Sequence, residues 1–212
     1  MSTFDWQSFF DCPIVAILRG FETDTVRDLV RAVRRGGIRI VEVTMNSPDL
    51  ERSMRAAVEA GGDGAIIGAG TVCTVDDLDR ALAAGARFIV TPVLVPEVII
   101  ACKERGVPVM PGALTPTEIW RAWELGADIV KVFPANHFGP GYIRDVKAPL
   151  SGIRLMPTGG VDAETIALFR KSGADAFGVG SALFDAGRVA ARNWGAVEYE
   201  ARRLVDAYLG CA

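Results

Sequence analysis

Short apolar, β-branched runs alternate along the chain with longer amphipathic stretches at near-regular intervals. The runs at 14–18, 38–44, 65–69, 88–91, 108–111, 129–133, 154–157 and 176–179 read as eight strands. Helical spacing of apolar residues predicts helices over 25–35, 48–60, 75–84, 96–105, 116–125 and 163–172. Ser47, Thr74, Thr115 and Asp162 precede four of them as N-cap candidates, with Pro48 at a first helical position. Glycines close the helices, and three ends repeat one pattern: Ala84-Gly85-Ala86-Arg87, Leu125-Gly126-Ala127-Asp128 and Ser172-Gly173-Ala174-Asp175. Each leads straight into a strand, so the recurring unit is βα.

Continuous β/α alternation with mostly apolar strands implies a parallel sheet covered by helices. Eight such units in 212 residues predict a single α/β domain over 1–212, a (β/α)8 TIM barrel at the small end of its size range. An open doubly wound sheet is the alternative. It is disfavoured because the first βα turn, Leu18-Arg19-Gly20-Phe21, lacks a Gly-x-Gly-x-x-Gly fingerprint. Phe4, Trp6, Phe9 and Phe10 form a short N-terminal aromatic segment suited to capping the barrel floor or meeting another subunit. Val197, Ala201, Leu204 and Val205 fall at helical spacing, which predicts an extra C-terminal helix packed outside. Ile119, Trp120 and Trp123 form a helical stripe read as core or subunit packing.

Composition narrows the function. Half the residues are apolar, enough for a sizeable core, and the net charge of −3 with a pI near 5.3 gives no support for nucleic-acid binding. No apolar run is long enough to span a bilayer, and residues 1–13 lack the basic-then-apolar order of a signal peptide. Cys12, Cys73, Cys102 and Cys211 are widely spaced without Cys-x-x-Cys, as expected of reduced thiols in a cytoplasmic protein. The single histidine, His137, argues against a His-rich metal site and against most Ser-His or Cys-His schemes.

Lys131, in Ile129-Val130-Lys131-Val132-Phe133-Pro134, is a lone ammonium in an apolar strand. Such a group must pair, snorkel to solvent or lose its charge, and a neutral amine is a nucleophile toward a carbonyl carbon. Alternation along strands puts Ile129, Lys131 and Phe133 on one face, and Ile40, Glu42 and Thr44 on one face of the second strand. With the Val41/Val43 and Val130/Val132 faces against the helices, Lys131 and Glu42 both point inward. They then form either a structural ion pair or an amine and a proton-transfer group in one site. Thr71, Thr91-Pro92 and Thr158 add hydroxyls at the C-terminal strand ends, where barrels carry their sites. The seventh and eighth strands end in Pro157-Thr158-Gly159-Gly160 and Gly178-Val179-Gly180-Ser181. Paired glycines expose backbone N–H groups to an anion, and helix N-termini behind them would add positive charge, so these loops predict a phosphate site. Arg19, at the same rim, is a candidate for a second anionic group such as a carboxylate, or a solvent-facing arginine.

These residues bring a resemblance into view. Ile14-Val15-Ala16-Ile17-Leu18-Arg19, Val41-Glu42-Val43-Thr44, Ile67-Gly68-Ala69-Gly70-Thr71-Val72, Ile89-Val90-Thr91-Pro92, Met110-Pro111-Gly112, Val130-Lys131-Val132-Phe133-Pro134-Ala135 and Pro157-Thr158-Gly159-Gly160-Val161 occur in that order. From about Pro13 to Phe184 the chain resembles the 2-keto-3-deoxy-6-phosphogluconate / 4-hydroxy-2-oxoglutarate (KDPG/KHG) aldolase family of class I aldolases. The resemblance implies Lys131 as the Schiff-base lysine and Glu42 as the acid/base. It also implies Thr71 as a substrate contact, Pro92 and Phe133 lining the pocket, and Thr158, Gly159, Gly160 and Ser181 at the phosphate. It implies a homotrimer, no metal or organic cofactor, and a phosphorylated keto-deoxy sugar acid as substrate. The expected reaction is cleavage of 2-keto-3-deoxy-6-phosphogluconate to pyruvate and glyceraldehyde 3-phosphate, with 4-hydroxy-2-oxoglutarate as a further substrate. Many gluconate-type members carry Arg shortly after Glu-Val-Thr, where this chain has Asn46, leaving carboxylate binding to Arg19. Asn46 and Phe138-Gly139-Pro140-Gly141-Tyr142-Ile143 resemble the 6-phosphogalactonate branch, whereas Pro157-Thr158-Gly159-Gly160 resembles the gluconate branch. An isomerase or synthase barrel using Lys131 only electrostatically, and a non-catalytic binding barrel, are the rival readings.

Overall fold

The computed structural model describes residues 4–210; Cys211 lies outside them. The strands are β1 (Ile14–Leu18), β2 (Ile40–Thr44), β3 (Ile66–Gly70), β4 (Ile89–Val90), β5 (Val109–Met110), β6 (Gly112–Ala113), β7 (Val130–Val132), β8 (Leu155–Pro157) and β9 (Phe177–Val179). The helices are α1 (Trp6–Asp11), α2 (Thr23–Arg35), α3 (Leu50–Gly61), α4 (Val75–Ala83), α5 (Pro96–Glu104), α6 (Pro116–Glu124), α7 (Gly139–Lys147), α8 (Ile166–Lys171), α9 (Ala186–Ala190) and α10 (Trp194–Leu209).

Every strand pairing is parallel, in a six-stranded sheet ordered β5-β4-β3-β2-β1-β9 and a three-stranded sheet ordered β6-β7-β8. The architecture is thus α/β with curled parallel sheets, rather than one unbroken eight-stranded ladder. The expected run 108–111 differs most. It continues to Ala113 and is broken at Pro111, which has no N–H to give to a ladder. β5 pairs with β4, whereas β6 pairs with β7, so the chain changes sheets at that proline. Backbone contacts cross both seams: Lys131 N–H donates to the Pro111 carbonyl at 2.9 Å, and Thr158 bridges Gly178 in parallel.

Side-chain parity sorts the core into two clusters. Val15, Ile17, Ile40, Ile66, Phe88, Val90, Met110, Ile129, Met156 and Ala176 pack inside the curl. Val41, Val43, Ile67, Ala69, Val130 and Val132 pack outward against the helices. Phe9 of α1 joins the inner cluster fully buried, with Phe4, Trp6 and Phe10 against it, so the aromatic segment caps the floor. α10 packs on α2 and α8, as the tail spacing implied, with an Arg35–Glu198 ion pair at 2.6 Å. The tryptophan stripe divides: Ile119 is buried and Trp123 packs on the core, but Trp120 is 48% exposed.

Helix starts follow the available caps. Thr74 with Asp77 and Thr115 with Glu118 form capping boxes that start α4 and α6 where expected. Replacing Thr115 with Ala should cost about 1 kcal/mol, read as a melting temperature lower by about 2–4 °C. The helix expected from Pro48 begins instead at Leu50 behind Asp49, because the Ser47 hydroxyl is engaged elsewhere: it accepts from Gly20 N–H at 3.0 Å and meets the Thr44 hydroxyl at 3.2 Å. The helix expected over 163–172 begins only at Ile166. The Asp162 carboxylate accepts from Glu164 and Thr165 N–H groups, and the Thr165 hydroxyl donates to the Gly160 carbonyl, which holds 160–165 as a turn. Helices α7 and α9 were not anticipated; Gly139, Pro140 and Gly141 give the start of α7 a loop-like composition.

Candidate active site

The inner face of the curl changes chemistry with height. Its lower layer is apolar, from Val15, Ile40, Ile66, Ile129 and Met156. Two residues further along the same strands stand Ile17, Glu42, Gly68, Lys131 and Thr158. Glu42 is 0% and Lys131 2% exposed, so both charges expected to point inward are interior. Neither carboxylate oxygen of Glu42 has a hydrogen-bond partner among the described residues, so the pair is not the structural ion pair that parity also allowed. A buried carboxylate without a hydrogen-bond partner is costly to stability, which makes Glu42 a candidate functional group. The Lys131 Nζ lies over the Phe133 ring, 5.3 Å from its centroid.

Above this layer opens a cavity of about 350 Å³. Of the expected site residues, Arg19, Phe133, Thr158, Gly159, Gly160, Gly180 and Ser181 line it together. Lys131, Glu42, Thr71 and Pro92 are not among its lining residues. Lys131 and Glu42 each stand next to a residue that does: the Lys131 Nζ lies over the ring of Phe133, and Glu42 is in register with Ile17 across β1 and β2. Thr71 directly follows β3, half-buried with φ of 60°, a left-handed conformation rare outside glycine. Pro92 follows buried Thr91, whose hydroxyl donates to the Val93 carbonyl and accepts from Gly112 N–H at 3.3 Å. That clip fixes Pro92 against the next strand.

The two glycine loops converge on the cavity as expected, with Gly159 and Gly160 at φ of 94° and 73°. The helix N-termini expected behind them are absent from that position. α8 starts five residues beyond Gly160's own neighbour Val161, and Leu183 and Phe184 N–H groups turn back onto the Gly180 carbonyl ahead of α9. The polar groups this lining offers are therefore backbone N–H groups and the Ser181 and Thr158 hydroxyls, with Arg19 its cation. Sequence reasoning missed Phe21 and Phe184, which line the cavity as an edge-to-face pair 5.9 Å apart. Phe21 stands two residues past the rim arginine, a position that flags it in hindsight.

Other reactive groups lie elsewhere. Burial pushes the Cys102 thiol up to about 12, and burial likewise raises Cys12. Among the described residues no group of three or more His, Cys, Asp or Glu is arranged to hold a metal ion, and no helix is long and apolar enough to cross a membrane.

A family model described as KDPG and KHG aldolase matches residues 7–199. The 2-dehydro-3-deoxy-6-phosphogalactonate aldolase of Escherichia coli K12 is 40% identical over 204 residues, which span 96% of this chain and 97% of that one. The 2-dehydro-3-deoxy-phosphogluconate aldolase of Treponema pallidum is 38% identical over 156 residues, 73% of this chain and 72% of its own length. A solved native KDPGal structure superposes with a TM-score of 0.87 at 40% identity, covering 93% of this chain and 95% of that one. Fold, buried amine and carboxylate, and relatives together define an aldolase, a carbon–carbon lyase. The chain belongs to the KDPG and KHG aldolase family. Membership removes the isomerase and non-catalytic alternatives.

Proposed function

We propose that the protein cleaves a 2-keto-3-deoxy-6-phospho sugar acid to pyruvate and glyceraldehyde 3-phosphate through an imine on Lys131. The observation that carries this reading is a fully buried lysine in the same interior layer as a partnerless buried carboxylate, beneath a cavity with paired glycine loops. The neutral amine of Lys131 adds to the C2 ketone, and loss of water gives an iminium. The Glu42 carboxylate accepts the C4 hydroxyl proton, directly or through water. The C3–C4 bonding electrons then flow into the iminium, releasing the aldehyde and leaving an enamine. Glu42 returns the proton to C3, and hydrolysis frees pyruvate and the lysine.

Arg19 is assigned the substrate carboxylate, and the backbone N–H groups at Gly159, Gly160 and Gly180, with the Ser181 and Thr158 hydroxyls, the phosphate. Thr71, Pro92 and Phe133 border the reacting carbons. Binding the phosphate at one end orients the C3–C4 bond over the catalytic pair. Gly160→Ala tests this assignment. The added Cβ falls 2.8 Å from the Asn136 Cβ at a φ of 73° and distorts the loop. We expect KM for the phosphorylated substrate to rise about tenfold to 100-fold, with pyruvate methyl-proton exchange little changed.

The preferred substrate is the galactonate epimer. The full-length similarity to a galactonate-named relative and the Asn46 position support it. The gluconate epimer is the second reading, favoured by the buried Thr158 facing the cavity and by the gluconate-named relative. Following pyruvate from both epimers with lactate dehydrogenase tests this directly. The expected result is turnover of both, with higher kcat/KM for galactonate; no pyruvate from either overturns the reaction. We further propose that the two sheets act as one closed eight-stranded barrel over a single domain, joined by the contacts at Pro111 and Thr158. A cytoplasmic homotrimer suits the exposed Trp120, Phe138 and Val93 side chains.

A further inference from the structure

Both oxygens of the Glu42 carboxylate are buried and have no hydrogen-bond partner among the described residues. Something else must hold it. The neighbouring strand β3 supplies a wall with no side chain where the carboxylate lies. A Cβ on Gly70 would overlap Glu42 Oε1 and Cδ and stand 2.6 Å from Cγ; these three Glu42 atoms are its nearest neighbours. The wall itself is fixed. The Gly70 carbonyl accepts from Met45 N–H at 2.7 Å, Gly70 is in register with Thr44, and Thr71 beyond it is held at φ of 60°. With the backbone pinned on both sides, any side chain at position 70 must displace the carboxylate rather than the strand.

We infer that Gly70 is a positioning residue for Glu42, its missing Cβ forming the seat that places the carboxylate for proton transfer. The inference rests on the imine scheme above and extends it to a residue that touches no substrate. Its consequence is selective. Imine formation belongs to Lys131 on the other sheet, whereas removal of a methyl proton from the pyruvate imine belongs to Glu42.

The test measures both steps with pyruvate alone. Borohydride trapping followed by mass analysis reads imine formation, and loss of the pyruvate methyl ¹H signal in D₂O reads proton transfer. In Gly70→Ala we expect adduct yield like the wild type, with exchange slower by about 100-fold or more, the scale of general acid–base catalysis. In Gly70→Ala/Glu42→Ala the clash is gone. Exchange should therefore match Glu42→Ala alone, and a melting temperature lowered by Gly70→Ala should recover. Wild-type exchange in Gly70→Ala, parallel loss of adduct and exchange, or effects on both exchange and melting temperature that simply add in the double variant would each overturn the inference. Absence of a wild-type adduct overturns the imine scheme and this inference with it.

Discussion

Lys131→Met lowers kcat by about 10⁴-fold or more, the scale seen when a covalent nucleophile is removed, and leaves the protein folded. The two parts of this result come from the same geometry. Lys131 is buried between Val130 and Val132, in register with Met156 and above Ile129, so an apolar side chain of equal length is at home there. Removing a buried amine relieves desolvation, and the melting temperature should hold or rise. A steady-state assay with a thermal melt on one preparation checks both. A large stability loss would mean that the lysine serves packing, and retained turnover would mean that it serves no covalent role.

Glu42→Gln produces the second large effect, a fall in kcat of about 10²- to 10⁴-fold. Gln keeps the volume of Glu and fits the seat against Gly70, so the loss reports proton transfer rather than shape. The melting temperature should again not fall, because the carboxylate has no hydrogen-bond partner among the described residues to lose. Lys131 should still form its imine with pyruvate. Steady-state kinetics and adduct yield on Glu42→Gln separate this outcome from a general loss of the site.

Strand parity made the heart of this site legible. The period of two along Ile40-Val41-Glu42-Val43-Thr44 and Ile129-Val130-Lys131-Val132-Phe133 is enough to turn both charges inward, and the two core clusters divide along that line. Glycine pairs likewise flagged the loops that line the cavity, since backbone exposure leaves a mark in composition. What stayed hidden depends on contacts between distant segments. Ser47 looked like a cap, but tertiary hydrogen bonds to Gly20 and Thr44 claimed its hydroxyl. Pro111 looked like a strand end, but the strand resumes on the other sheet because Gly112 pairs with Lys131. The helix terminus expected behind Gly159 and Gly160 gave way to the Asp162–Thr165 turn, whose side-chain hydrogen bonds compete with helix formation. Phe21 and Phe184 come together from opposite ends of the chain, which no local pattern reveals.

Imine formation at Lys131 is measured most directly by reducing the wild-type protein with borohydride in the presence of pyruvate and mapping the product by peptide mass. The expected result is one added reduced pyruvate unit, confined to the peptide carrying Lys131 and absent when pyruvate is omitted. An unmodified Lys131 in protein that is turning over its substrate, or an adduct on Lys103, Lys147 or Lys171 instead, would contradict it.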